Sequence, residues 1–153
     1  MKQEIYSEDW ETCKRAVDRL AEINSDESTS ILLDMLKSND AQVRNLAAVG
    51  MRTTRNQKYL VPLLKRISQL GTKGQIGSLV YALENLDCSR NLFDIAYMNL
   101  NAGTNMEVKH STTVILNEQS FILTQTELKD LKELLEKYHF TIDGFDVNFK
   151  MLQ

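Results

Sequence analysis

A recurrence of about 32 residues constrains this chain more than any other feature. The stretches DAQVRNLAAVGM from Asp40, KGQIGSLVYAL from Lys73 and NMEVKHSTTVIL from Asn105 carry apolar and small residues in matching slots. Val43, Ile76 and Val108 align first, then Leu46, Leu79 and Ser111, then Ala47, Val80 and Thr112. Cys13, Ala16 and Val17 occupy the same slots more loosely. Each recurrence sits in a segment whose apolar residues repeat at helical spacing. A period of this length with two helices per unit is the signature of a solenoid. One such pair cannot bury its apolar face alone, so stacking on neighbours must supply the core.

The periodicity predicts helices over 8–23, 27–38, 40–54, 58–70, 74–87, 89–100, 105–118 and 124–138. Polar breaks between them carry helix-start residues: Ser25-Asp26, Asn39-Asp40, Asp87 with Ser89, and Thr124 with Glu127 three residues on. Such side chains accept hydrogen bonds from the first, otherwise unpaired N–H groups of a helix. A single proline, Pro62, falls near a helix start, where its missing N–H costs little.

Asp40-x-x-Val43-Arg44-x-x-Ala47-Ala48 resembles the first helix of a HEAT repeat, and SILLDMLKSND before it resembles the second helix of a preceding unit. The resemblance is strict over roughly residues 28–70; the later units share the pattern but have Ile76-Gly77 and Val108-Lys109 in place of Val-Arg. It implies an all-α fold, a short α-α superhelix of about four HEAT-like helix pairs. The units would lie near 8–38, 40–70, 74–100 and 105–138 within one domain, 1–138. It also implies that Arg44 bridges neighbouring repeats and that the second helices line a concave surface. Residues 139–153 are read as a C-terminal β-hairpin cap or tail packed on the last unit. Asp143-Gly144 is a two-residue turn signal, pairing Ile142 with Phe145, Phe140 with Val147 and Tyr138 with Phe149 on one face.

With 42% hydrophobic and 25% charged residues the chain belongs with folded globular proteins, not disordered ones. It has no apolar stretch long enough for a membrane span and no signal-peptide pattern at its start. Two cysteines, Cys13 and Cys88, stand far apart inside helical patterns, which fits buried thiols in a reducing compartment. A cytoplasmic protein is expected.

Charge is strongly segregated. Residues 1–40 carry a net −5, residues 41–83 a net +7, and residues 84–153 a net −5. The middle run of 43 residues holds no carboxylate. Its cations are Arg44, Arg52, Arg55, Lys58, Lys65, Arg66 and Lys73. A positive band between acidic ends steers an anionic partner. The candidate partner-binding residues are Arg52, Arg55, Lys58, Lys65 and Arg66; the competing reading is a solvated helix face that offsets its acidic neighbours.

Catalytic signals are weak. Glu107-x-x-His110 and Glu136-x-x-His139 have the spacing of helical metal ligands, yet His110 points away from core Val108. Gly71-Thr-Lys-Gly74-Gln-Ile-Gly77 lacks the preceding strand and the spacing of a phosphate loop, and reads as a turn between units. No metal, cofactor or catalytic residue is expected, and the protein is not expected to be an enzyme. Tyr81, Tyr97 and Asp94 are candidate pocket-lining residues, with ordinary packing as the alternative. Trp10 is expected to pack the first helix onto the second unit.

The expectation for function is a non-catalytic macromolecule-binding protein. By analogy with small bacterial HEAT-like proteins, its most specific form is a toxin-neutralising immunity protein or an adaptor. The expected partner is a protein with an acidic patch, a toxin in the immunity form of this reading. The alternative is a nucleic-acid-binding HEAT-like protein of the DNA-repair glycosylase type using the basic band. Against it, the overall charge is acidic, the band spans one unit, and residues 41–83 offer only Tyr59 and Tyr81 as aromatics.

Overall fold

The computed structural model describes residues 4–7, 9–71, 74–137 and 148–151; for 134–137 and 148–151 it describes the backbone alone. Among them are eight α-helices: α1 (Trp10–Ile23), α2 (Asp26–Leu36), α3 (Ala41–Thr54), α4 (Leu60–Leu70), α5 (Gly77–Leu83), α6 (Leu92–Asn101), α7 (Met106–Glu118) and α8 (Gln125–Lys137). Single 3-10 turns, Glu4–Tyr6 and Gln57–Tyr59, precede α1 and α4. Two short strands, β1 (Ser120–Leu123) and β2 (Asn148–Met151), complete the order. The fold is predominantly helical, as the periodicity predicts.

The expected start signals act locally. The Ser25 hydroxyl accepts from the Ser28 N–H at the head of α2, and the Asp40 carboxylate accepts from the Gln42 N–H at the head of α3. Thr124 and Glu127 form the reciprocal box: the Thr124 N–H donates to Glu127 Oε2 (2.7 Å), and the Glu127 N–H donates to Thr124 Oγ1 (3.2 Å). Asp87 instead accepts from the Ser89 N–H in the turn before α6. Asn24 and Arg55, after α1 and α3, both have positive φ (44° and 52°), so the two turns close in the same left-handed way.

The helices pack in series. α1 packs on α3, α3 on α5, and α5 on α7, while α2 packs on α3, α6 on α7, and α4 on α5. The recurrent slots face these contacts. Leu46, Leu79 and Ser111 are buried, as are Ala47, Val80 and Thr112, and Cys13, Ala16 and Val17 of α1. Small residues in these slots let helices approach closely. Gly50 of α3, outside those slots, marks a close approach to two core side chains: a Cβ there would lie 2.6 Å from Val17 Cγ1 and 3.3 Å from Leu32 Cδ2. Val17 and Leu32 are fully buried, and Val17 is stiff about its χ1 angle, so neither yields freely. Gly50→Ala is therefore expected to destabilise by about 1–3 kcal/mol by overpacking, despite a helix-propensity gain of up to about 1 kcal/mol. Urea unfolding measures the difference.

Two segments depart from expectation. α5 spans seven residues, not the fourteen of 74–87. Its chain leaves the helix through turns that carry Leu86 and Cys88 into the core. Residues 120–123, expected as a break, form β1, which pairs in parallel with β2 in the register Phe121↔Phe149. The Asp143-Gly144 turn and the pairings that involve Tyr138, Phe140, Ile142, Phe145 and Val147 lie outside the described residues.

Candidate functional site

One edge of the molecule is built from the turns that follow α1, α3, α5 and α7, joined by hydrogen bonds between residues about one period apart. Gln57 Nε2 donates to the Asp87 carbonyl (2.8 Å), and Gln57 Oε1 accepts from the Asp87 N–H (2.9 Å). From the other side Gln119 Nε2 donates to the Leu86 carbonyl (2.9 Å), and Gln119 Oε1 accepts from the Cys88 N–H (2.8 Å). A primary amide sets an N–H donor beside a carbonyl acceptor, so each glutamine can satisfy one backbone carbonyl and one backbone N–H of the facing turn. Asn85 Nδ2 donates to the Arg52 carbonyl (3.2 Å) in the same fashion.

Most of the basic band is drawn into these joints. Arg52 Nη2 lies 3.4 Å from Glu84 Oε2, and its guanidinium stacks 3.9 Å from the centre of the Tyr81 ring. Lys58 Nζ pairs with Asp26 at 2.8 Å. That pair is exposed; the hydrogen bond from Lys58 holds the Asp26 carboxyl below its usual range. Arg66 Nη2 donates to the Ser38 carbonyl (2.9 Å) and the Lys37 carbonyl (3.3 Å) at the end of α2. Arg44, buried at the head of α3, donates from Nη1 to the Asn39 carbonyl (2.7 Å) and to the same Ser38 carbonyl (3.1 Å). Burial, and next the neighbouring Arg66 charge, lower the Arg44 pKa. Two guanidinium groups thus converge on the Ser38 carbonyl in the link that follows α2.

The five candidate binding residues therefore divide. Arg52, Lys58 and Arg66 hold intramolecular partners, whereas Arg55 and Lys65 are exposed. The sequence carried a signal for part of this division. Residues one period apart stack on each other, and Glu84 and Asp26 stand 32 residues from Arg52 and Lys58 respectively.

A second feature lies between α4 and α6: a groove of about 380 Å³. Its floor is apolar, formed by Ile67, Ile76, Met98 and Val108. Its rim carries Ser68 of α4 and Asp94, Tyr97 and Asn101 of α6. The helical spacing of 94, 97 and 101 puts all three on one face. Tyr97 is 67% exposed, and beyond the rim Val61 and Leu100 are 71% and 46% exposed. Asp94 and Tyr97, grouped as pocket candidates, meet here; Tyr81 does not, being held under Arg52. A smaller groove of about 320 Å³ borders Trp10 and Tyr6 near the start of α1 and reaches Asp40 and Val43. Trp10 borders this groove and is 47% exposed.

Other sequence candidates are placed more simply. His110 is exposed on α7. Among the described residues no group of three or more His, Cys, Asp or Glu side chains is placed to hold a metal ion. Gly71 ends α4 with a φ of 62°, and Gly77 packs beneath the Glu107 carboxylate. Glu136, His139 and Lys73 lie outside the described side chains. No described helix is long and apolar enough to cross a membrane.

Cys88 is fully buried, and burial, aided by the Asp87 and Asp94 carboxylates, pushes its thiol up to about 12. Native Cys88 is expected to resist alkylation at pH 8 and to react once urea unfolds the chain, as peptide mass mapping would show. Below about pH 8.5 both native and unfolded chains keep this proton. Between there and about 12 only the unfolded thiol ionises, so stability falls with a slope of up to about 1.4 kcal/mol per pH unit.

Compared with known proteins, the chain matches no family model, no curated protein and no solved structure.

Proposed function

We propose that this chain is a non-catalytic, HEAT-like repeat protein, a short α-α superhelix of about four helix pairs, that binds a partner protein in the cytoplasm. The observation that carries the repeat reading is the set of contacts between residues 30–33 apart, which joins successive turns along one edge. Such arrays use their extended surfaces for recognition. The stacking of α1, α3, α5 and α7 leaves outward faces of α4 and α6 uncovered. There exposed Val61, Tyr97 and Leu100 stand among Lys65 and Asp94. Uncovered apolar and aromatic side chains rimmed by charge are what protein interfaces are made of. The most specific form of this reading is a toxin-neutralising immunity protein or adaptor, with Arg55 and Lys65 meeting acidic groups of the partner.

The nucleic-acid alternative draws on the whole basic band, and Arg44, Arg52, Lys58 and Arg66 are already engaged. The test is affinity capture of the tagged chain from its native lysate with and without nuclease. One stoichiometric protein partner, retained after nuclease, supports the proposal. Nuclease-sensitive nucleic acid with no protein partner contradicts it.

A further inference from the structure

We propose that the groove between α4 and α6 docks a partner segment bearing an arginine or lysine beside an aliphatic side chain. Asp94 and Tyr97 would receive the cation, and Ile67, Ile76 and Met98 the aliphatic group. The inference deepens the partner-protein reading and rests on it.

The chemistry of the groove selects this occupant. Among its described lining residues Asp94 is the one charged side chain. Asp94 Oδ2 accepts from Asn91 Nδ2 (3.0 Å), an uncharged donor, and no described lysine or arginine forms an ion pair with it. Three residues on, the exposed Tyr97 ring stands on the same helix face. A carboxylate beside an aromatic ring is a receptor for ammonium or guanidinium, which it holds by charge and by the ring's negative face. Beneath, half-buried Leu64 and the edges of buried Ile67, Ile76 and Met98 line an apolar floor. The groove runs from Leu64 to Gly71 along α4, about 10 Å at the helical rise, which suits two or three adjacent side chains.

The test uses the full chain labelled with 15N and titrated with acetyl-Arg-Leu-amide. Saturable shifts are expected in the backbone amides of Ser68, Ile76 and residues 94–101, with a Kd of roughly 0.1–10 mM. Asp94→Asn, which can keep the Asn91 contact, should weaken binding by roughly 3–10-fold. Acetyl-Glu-Leu-amide should leave these amides unmoved. Equal shifts from the acidic peptide, no shifts from the basic one, or unchanged affinity in Asp94→Asn would each overturn the proposal. Shifts of the same amides on raising protein concentration alone would also overturn it, by making a second copy the occupant. A failed titration leaves the capture result standing, because a captured partner can use another face; failed capture leaves a positive titration in place.

Discussion

Phe121→Ala is expected to lose about 3–5 kcal/mol of unfolding free energy, the largest effect of any single truncation considered for this chain. The ring is fully buried. It belongs to β1, a four-residue strand fixed on both sides. The Ile122 N–H donates to the Ser89 carbonyl (2.9 Å), and the strand pairs with β2 through its other edge. The preceding residue, Gln119, clamps the 86–88 turn from the same side. Because the strand cannot follow a shrinking core without breaking these bonds, the cavity should remain largely open. Ile122 alternates to the other face and is half-buried, so Ile122→Ala should cost less than about 1.5 kcal/mol. Urea unfolding of the two variants at constant m-value makes the comparison. Equal, small losses would show that β1 is peripheral.

Arg44→Ala should cost about 2–4 kcal/mol. Its guanidinium holds the link between α2 and α3 through the Ser38 and Asn39 carbonyls, from a site that is 4% exposed. Removal takes the Arg44 donor from the Asn39 carbonyl, leaves Ser38 to Arg66 alone, and leaves a void where the side chain stood. Arg44→Met restores most of the packing and should recover part of the loss. Arg44→Lys carries the charge but has no planar fork to span two carbonyls, so it should fall between the two. For a chain of this length these losses lower Tm by roughly 5–15 °C for Ala and less for the others. A loss below about 0.5 kcal/mol for Arg44→Ala would show that Arg66 holds the link after α2 unaided.

Helix positions and recurrent core slots were legible because they depend on local spacing. Ser25, Asp40 and the Thr124–Glu127 pair act within three residues of themselves, so their chemistry is written in the segment. β1 was not legible. Ser120–Leu123 is a short apolar run that either a strand or a helix end can contain, and its pairing partner begins 28 residues after it. The groove was hidden for a similar reason: it arises where α4 and α6 face each other above Ile76 and Val108, residues from two other segments. The charge run was visible, but its division into structural and exposed cations needed partners one repeat away. Arg52 and Lys58 could have been assigned by looking 32 residues along the chain for an opposite charge; Arg66 could not, because it meets backbone carbonyls.

Side-by-side thermal melting of two double variants separates the structural from the outward cations of the basic band. Arg55→Glu with Lys65→Glu alters cations that face outward, whereas Arg52→Glu with Arg66→Glu places carboxylates against Glu84 and the carbonyl end of α2. A Tm within about 2 °C of the parent is expected for the first pair and a fall of roughly 5 °C or more for the second. An equal or larger fall for the outward pair would contradict this division.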